Sequence, residues 1–278
     1  YTLQTPPVIN SYDLANSTGS KLNNDTGLLD NEKEYYFTIN ITDENGWQDI
    51  DYINITSWYD NSDDISDYND TAGGNLNMFL QYKNVTGSEE FNLIWPDEEV
   101  TLVISNCSET IINSSTRIIQ ISFIPHSQIR WAPGDNMWDN TENTTNDPNS
   151  WNFKINVEDS SNLKCWKKDE YGVSRYTYIK KESKYLYVNV IPGYSAETNV
   201  ITIEYSTNYN YNMSIFFEKN LTNSTIDSNV SIKDNVYILK KADSNDDITT
   251  DKKFNGIGEK NKIQIFNNSG LFSTDGNT

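Results

Sequence analysis

Period-two alternation of apolar and polar residues recurs along the chain, and it limits the fold more than any other feature of the sequence. In EYYFTINIT, Tyr35, Phe37, Ile39 and Ile41 share one parity, and Tyr36, Thr38, Asn40 and Thr42 share the other. WNFKINVE sets Trp151, Phe153, Ile155 and Val157 against Asn152, Lys154, Asn156 and Glu158, and RIIQISFI aligns Ile119, Ile121 and Phe123. Successive side chains of a strand point to opposite faces, so each run predicts a strand with one dry and one wet face. YLYVNV, VITIEY, NMSIFF, NVSIKDNVYIL and KIQIF read alike, with DENG, TAGG, APGD, NDPN and IPGY as turns between them. No stretch holds helical periodicity over three turns. The expected class is all-β, and scarce Ala beside plentiful Ile, Val, Thr and Tyr agrees with it.

A chain of 278 residues suggests two domains or one large all-β unit. Residues 1–29 are polar and turn-rich around an extended TPPVIN, whose Pro-Pro suits a sheet edge or an exchanged strand. A first domain is expected over 30–183 and a second over 184–278. No apolar run approaches the ~18 residues of a membrane helix. Beginning at Tyr1 without a leader, the chain is expected to be a processed or trimmed form.

The triplet N-x-S/T, the acceptor for asparagine-linked sugar in exported chains, occurs at Asn16, Asn24, Asn40, Asn54, Asn69, Asn84, Asn106, Asn113, Asn143, Asn212, Asn220, Asn223, Asn229 and Asn267. Random placement of 39 Asn and 52 Ser plus Thr would give about seven such triplets, half the number present. The alternation says where they face. An N-x-T on a half-buried strand exposes Asn and Thr together and turns x inward, and Ile41, Ile55, Val85, Met213, Leu221 and Val230 all hold that middle position. Cys107 is the middle residue of another triplet, which aims its thiol at the core. The outer faces of the sheets are therefore expected to carry N-linked glycans. No triplet falls between Asn143 and Asn212, a bare span suited to protein contact.

Net charge is −19, and all of the excess lies in the first half: residues 1–150 hold 24 acids against 5 bases, and 151–278 hold 16 of each. That half would repel nucleic acid. Residues 164–184 concentrate seven bases (Lys164, Lys167, Lys168, Arg175, Lys180, Lys181, Lys184), a polarity that could steer head-to-tail contacts between copies.

Cys107 and Cys165 are the only cysteines, and in an exported chain two cysteines are expected to pair. Closing that loop of about 58 residues would stabilise by roughly 4 kcal/mol. His126 is the only histidine, which removes most imidazole-based acid/base schemes. Alone in FIPHSQ it reads as a turn residue. GYSAE at 193–197 lacks the second Gly and the following helix of a nucleophile elbow. No phosphate loop or zinc motif is present. The chain is therefore not expected to be an enzyme, and no cofactor is indicated except a cation. For that cation, DNSDDISDYND groups Asp60, Asp63, Asp64, Asp67 and Asp70 as oxygen ligands for calcium, without EF-hand spacing. The Asp43–Glu44–Asn45–Gly46 stretch reads as a tight turn joining two strands.

TINITDENGWQDIDYINITSWYD resembles the opening hairpin of immunoglobulin-like modules in archaeal cell-surface glycoproteins, and WNFKINVEDSSN a closing strand of the same module. YSTNYNYNMSIFFEKNL is similar to segments that follow such modules in surface proteins of methanogens. The resemblance covers about 60% of the chain. It implies two immunoglobulin-like β-sandwiches in tandem, in an S-layer, sheath or extracellular filament, and no catalytic residues. Leu163, two positions before Cys165, stands where a tyrosine corner would be, so an antibody-type disulfide is not implied. The expected function is a structural subunit, assembling with copies of itself through strand edges or a donated N-terminal strand. The alternative is a monomeric surface adhesin or carbohydrate-binding module, with the tyrosines of STNYNYN as its platform.

Overall fold

A computed structural model describes residues 4–22, 27–60, 67–69, 71–85, 88–96, 98–132, 150–182, 188–189, 191, 194–199, 203–209, 212–222, 229–231, 237–238, 252–267 and 276–277. The protein is all-β. It divides into two units, Tyr1–Tyr176 and Thr177–Thr278. Among the described residues, no helix is long and apolar enough to cross a membrane.

Among the described residues, eleven strands build the first unit: β1 Val8–Asn16, β2 Leu28–Leu29, β3 Tyr35–Thr42, β4 Ile50–Tyr59, β5 Asn77–Val85, β6 Ser88–Trp95, β7 Val100–Leu102, β8 Ser108–Ile111, β9 Thr116–Pro125, β10 Trp151–Asp159 and β11 Lys164–Val173. One sheet runs β1-β3-β9-β7, with β8 also paired to β9; the other runs β2-β11-β10-β4-β5-β6. All pairings are antiparallel except β2 with β11.

The alternating runs put their apolar parity between the sheets. Phe37, Ile39 and Ile41 from β3 and Ile119, Ile121 and Phe123 from β9 meet Ile53 and Ile55 from β4 and Phe153, Ile155 and Val157 from β10 in one core. Phe37 stacks on Phe123 at 5.7 Å within its own sheet and tilts against Phe153 at 5.6 Å across the core, joining the two layers. Each such burial is worth about 1.5–3 kcal/mol, which makes the alternation the main source of this unit's stability.

TPPVIN runs into β1, which lies at a sheet edge and pairs with β3 over Val8–Asn16, with Ile9, Leu14, Ala15 and Leu29 buried. Two expectations change here. The first unit ends at Tyr176 rather than 183. The DENG stretch joins no hairpin, because β3 and β4 belong to different sheets and the chain crosses between layers there.

The expected disulfide is absent, and both cysteines are free thiols. Cys107 lies just before β8, with Sγ 3.5 Å from the Val103 carbonyl and accepting the Ser122 N–H at 3.3 Å. The Cys165 thiol, on β11, bonds the backbone of Ile9 on β1. Cys107 thus lies at the β8–β9 side of one sheet, and Cys165, on a strand of the other sheet, meets the β1 edge of the first. From Ser122 to Ile9 is two strand spacings of about 4.8 Å across and, through the pairs Ser122–Tyr36 and Tyr36–Ala15, several residues along, far beyond the reach of a disulfide.

The described part of the second unit has a three-stranded sheet (Thr177–Glu182, Ile203–Thr207, Gly276–Asn277) and three two-stranded pairs. Phe217 meets Phe254 edge-on at 4.8 Å, and Phe254 is buried.

Candidate functional site

Geometry separates the acceptor asparagines. Glycosylation takes place at Nδ2, so what that nitrogen already does decides whether a side chain is available. In Asn16, Asn69 and Asn113 the Oδ1 accepts the N–H two residues on (3.1, 3.0 and 2.8 Å), folding each triplet into an Asx-turn. In the strand-borne triplets, Asn40 Oδ1 accepts from Asn10 and Asn54 Oδ1 from Gln81, both at 3.0 Å, while Ile41 and Ile55 are fully buried behind them. In these five residues Nδ2 donates to nothing among the described residues. Asn84 and Asn106 differ. Asn84 Nδ2 donates to the Trp47 and Ile50 carbonyls at 3.0 and 2.9 Å, and Asn106 Nδ2 donates to Glu34. Of the other triplets, Asn24, Asn143 and Asn223 lie outside the described residues. Asn220 is exposed, and Asn212, Asn229 and Asn267 lie on strands of the second unit.

Of the expected calcium ligands, Asp60 and Asp67 lie among the described residues. Asp60 is 3% exposed and both its oxygens are engaged: Oδ1 accepts the Ser150 N–H at 3.0 Å and Oδ2 the Ser150 hydroxyl at 2.9 Å. Asp67 pairs with Lys154 at 3.4 Å. Asp63, Asp64 and Asp70 lie outside the described residues.

A different trio of carboxylates converges. Asp43 follows β3, Asp49 ends a 3-10 turn at Trp47–Asp49, and Asp159 closes β10, and one oxygen from each lies within 4.8 Å of the others. Asp43 and Asp159 are 0% and 1% exposed. Each carboxylate uses Oδ1 locally: Asp43 accepts from Asn45 N–H (2.8 Å), Asp49 from the Ser160 hydroxyl, and Asp159 from the Ser161 and Leu163 N–H groups (2.9 and 2.8 Å). The three Oδ2 atoms have no hydrogen-bond partner among the described residues. Burial raises the Asp43 pKa, and the Asn45 N–H only partly offsets this. Every charge acting on it, from Asp49, Asp159 and Glu44, raises it further.

Sequence reasoning missed this trio, although a signal was there. Asp43 continues the inward parity of Tyr35, Phe37, Ile39 and Ile41, and Asp159 that of Trp151, Phe153, Ile155 and Val157. An acid on the dry parity at or just past the end of a strand is the mark. Backbone bonds fix the loops around it: Asp43 N–H to Ser115 C=O (3.0 Å), Trp47 N–H to Ser114 C=O (3.1 Å) and Ser160 N–H to Asp49 C=O (2.7 Å). The 43–50 crossing is thus tied to the β8–β9 turn, the β10–β11 turn and, through Asn84, to β5.

The remaining candidates are dispersed. His126 sits in a turn with Nε2 2.7 Å from the Thr101 hydroxyl and Nδ1 3.2 Å from Glu32. On basic strand β11, Lys164 pairs with Glu158 at 2.9 Å and Lys168 with Glu170 at 3.7 Å, so part of the basic charge is met within the unit. In STNYNYN, Ser206, Thr207 and Asn208 are buried. Exposed apolar side chains gather at sheet edges: Ile94 and Trp95 on β6, and Ile111 and Ile112 at the end of β8.

No family model matches the chain, and no curated protein is similar to it. Among solved structures, a DUF4466 family protein from Parabacteroides merdae ATCC 43184 is similar at 11% identity and a TM-score of 0.26, over 66% of this chain. The chain spans about half of that protein (52%). That likeness is too weak to bear on fold or function, and the class stands on the strands themselves: an all-β protein whose first unit is built of two sheets around one core.

Proposed function

We propose that the chain is a structural subunit of an extracellular cell-surface polymer, N-glycosylated on its outer faces, of the kind found in archaeal S-layers, sheaths or filaments. The observation that carries this reading is the disposition of the acceptor triplets. Asn16, Asn40, Asn54, Asn69 and Asn113 keep Nδ2 unengaged among the described residues, and in the strand-borne triplets of Asn40 and Asn54 the middle residue, Ile41 or Ile55, is in the core. A chain that merely accumulated Asn would have no reason to align its triplets with the wet parity.

Strand order supports an immunoglobulin-like reading of the first unit. β1, β3, β9 and β8 follow the order A-B-E-D, and β11, β10, β4, β5 and β6 follow G-F-C-C′-C″. Where antibody domains place an intersheet disulfide between strands B and F, this chain packs Phe37 against Phe153. Assembly would use strand edges. β6 and β8 end their sheets with exposed Ile and Trp side chains, which suit addition of a neighbour's strand.

Glycopeptide mass spectrometry and sedimentation of natively produced protein test the reading together. Sugar on the five available asparagines and a sedimenting polymer are expected. A bare chain that sediments as a monomer would overturn it, and a sugar-binding monomer would favour an adhesin.

A further inference from the structure

We propose that Asp43, Asp49 and Asp159 form a calcium site at the loop end of the first unit, where the ion clamps the sheet-crossing turn to the β10–β11 hairpin. The donors are oxygen only, without His, Cys or Met, which selects a hard cation. Two oxygens bound to one calcium at about 2.4 Å lie at most about 4.8 Å apart, and the three carboxylates fall within that limit.

The second observation is independent of the clustering. Asp43 and Asp159 are buried, each has its Oδ1 satisfied by a turn N–H, and each is left with an Oδ2 that no donor reaches. A buried carboxylate oxygen without a donor is costly, and two beside a third carboxylate are more so. A divalent cation supplies the missing partner to all three at once. Asp49 is only half-buried, so water can complete the shell from its side. Calcium suits the site better than magnesium, because it tolerates irregular shells of six to eight oxygens and sheds water more readily.

The ion would also reach the N-terminal segment. Asn45, which donates its N–H to Asp43, accepts at Oδ1 from the Thr5 N–H and hydroxyl at 2.9 and 3.1 Å. Fixing Asp43 therefore fixes the residue that anchors the chain leading into β1.

The test is calorimetric titration of the decalcified full chain with calcium chloride, alongside thermal melts in calcium and in EGTA. The proteins are wild type, the double variant Asp43→Asn/Asp159→Asn, and Asp63→Asn/Asp64→Asn as the acidic-loop control. Asparagine keeps the Oδ1 that caps each turn while removing the charge. The expected result is a binding heat and a calcium-dependent rise in melting temperature, both lost in the double variant and kept in the control. In EGTA the double variant should melt at or above wild type, because mutual repulsion has gone. Absence of calcium heat in folded wild type, binding lost only in the acidic-loop variant, or a double variant that melts lower in EGTA would each overturn the assignment.

Discussion

Asn84 belongs to an acceptor triplet, yet its side chain is part of the framework. Its Nδ2 spends both hydrogens on the carbonyls of Trp47 and Ile50, at 3.0 and 2.9 Å, and so holds the turn that carries Asp49. Net contributions of such bonds are about 1 kcal/mol each, so Asn84→Ala should destabilise the first unit by about 2 kcal/mol. For a unit of this size that corresponds to a melting shift of about 4–8 °C. The Asn69→Ala control loses only an exposed Asx-turn and should shift by much less. Linking a sugar to Nδ2 removes one of the two hydrogens, so Asn84 should be unmodified in native protein while Asn69 carries glycan. Urea denaturation of the two variants, with glycopeptide mapping of the parent, decides the matter. An Asn84→Ala variant within about 0.5 kcal/mol of wild type, the range of neutral surface changes, or a fully glycosylated Asn84, would refute the reasoning.

Three further outcomes are expected. In chelator, Asp43 has a folded pKa raised above its ordinary 3.8, so its contribution to stability is present below 3.8 and is lost as pH rises through the folded value. Urea midpoints from acid to neutral pH should therefore show Asp43→Asn gaining on wild type as pH rises, and calcium should abolish that gain. Alkylation of denatured, unreduced protein should label both cysteines, and labelling of the folded protein should be slow because burial pushes both thiols up; no label would mean a disulfide. Asp13 and Thr38 face each other across β1 and β3, so an Asp13→Cys/Thr38→Cys crosslink would hold β1 in its own sheet. Assembly measured by light scattering should stop if β1 is donated between copies, and continue if polymerisation uses intact edges.

How much could be read in advance followed from how local each cause is. β3, β9 and β10 were legible because each has one face in the core, so parity alone fixes its residues. β11 was not: KCWKKDEYGV exposes its first half and buries successive residues in its second, leaving no clean period. The role of DENG was also not local. A short polar turn between alternating strands serves a hairpin or a sheet crossing equally well, and only the pairing partners of β3 and β4 decide. The same limit hid the acid trio, whose third member arrives from a strand far along the chain. Parity marked Asp43 and Asp159 as inward-facing, but their convergence is a property of the sandwich. Asp60 likewise fits a ligand-rich string in sequence, and its bonds to Ser150, ninety residues on, are nowhere visible in that string.

The central claim is that the chain builds a surface polymer, and negative-stain electron microscopy of the natively produced protein, with calcium and with chelator, tests it most directly. Ordered filaments or lattices are predicted in calcium, loosening or dispersing when the ion is removed. Isolated particles under both conditions would contradict the account.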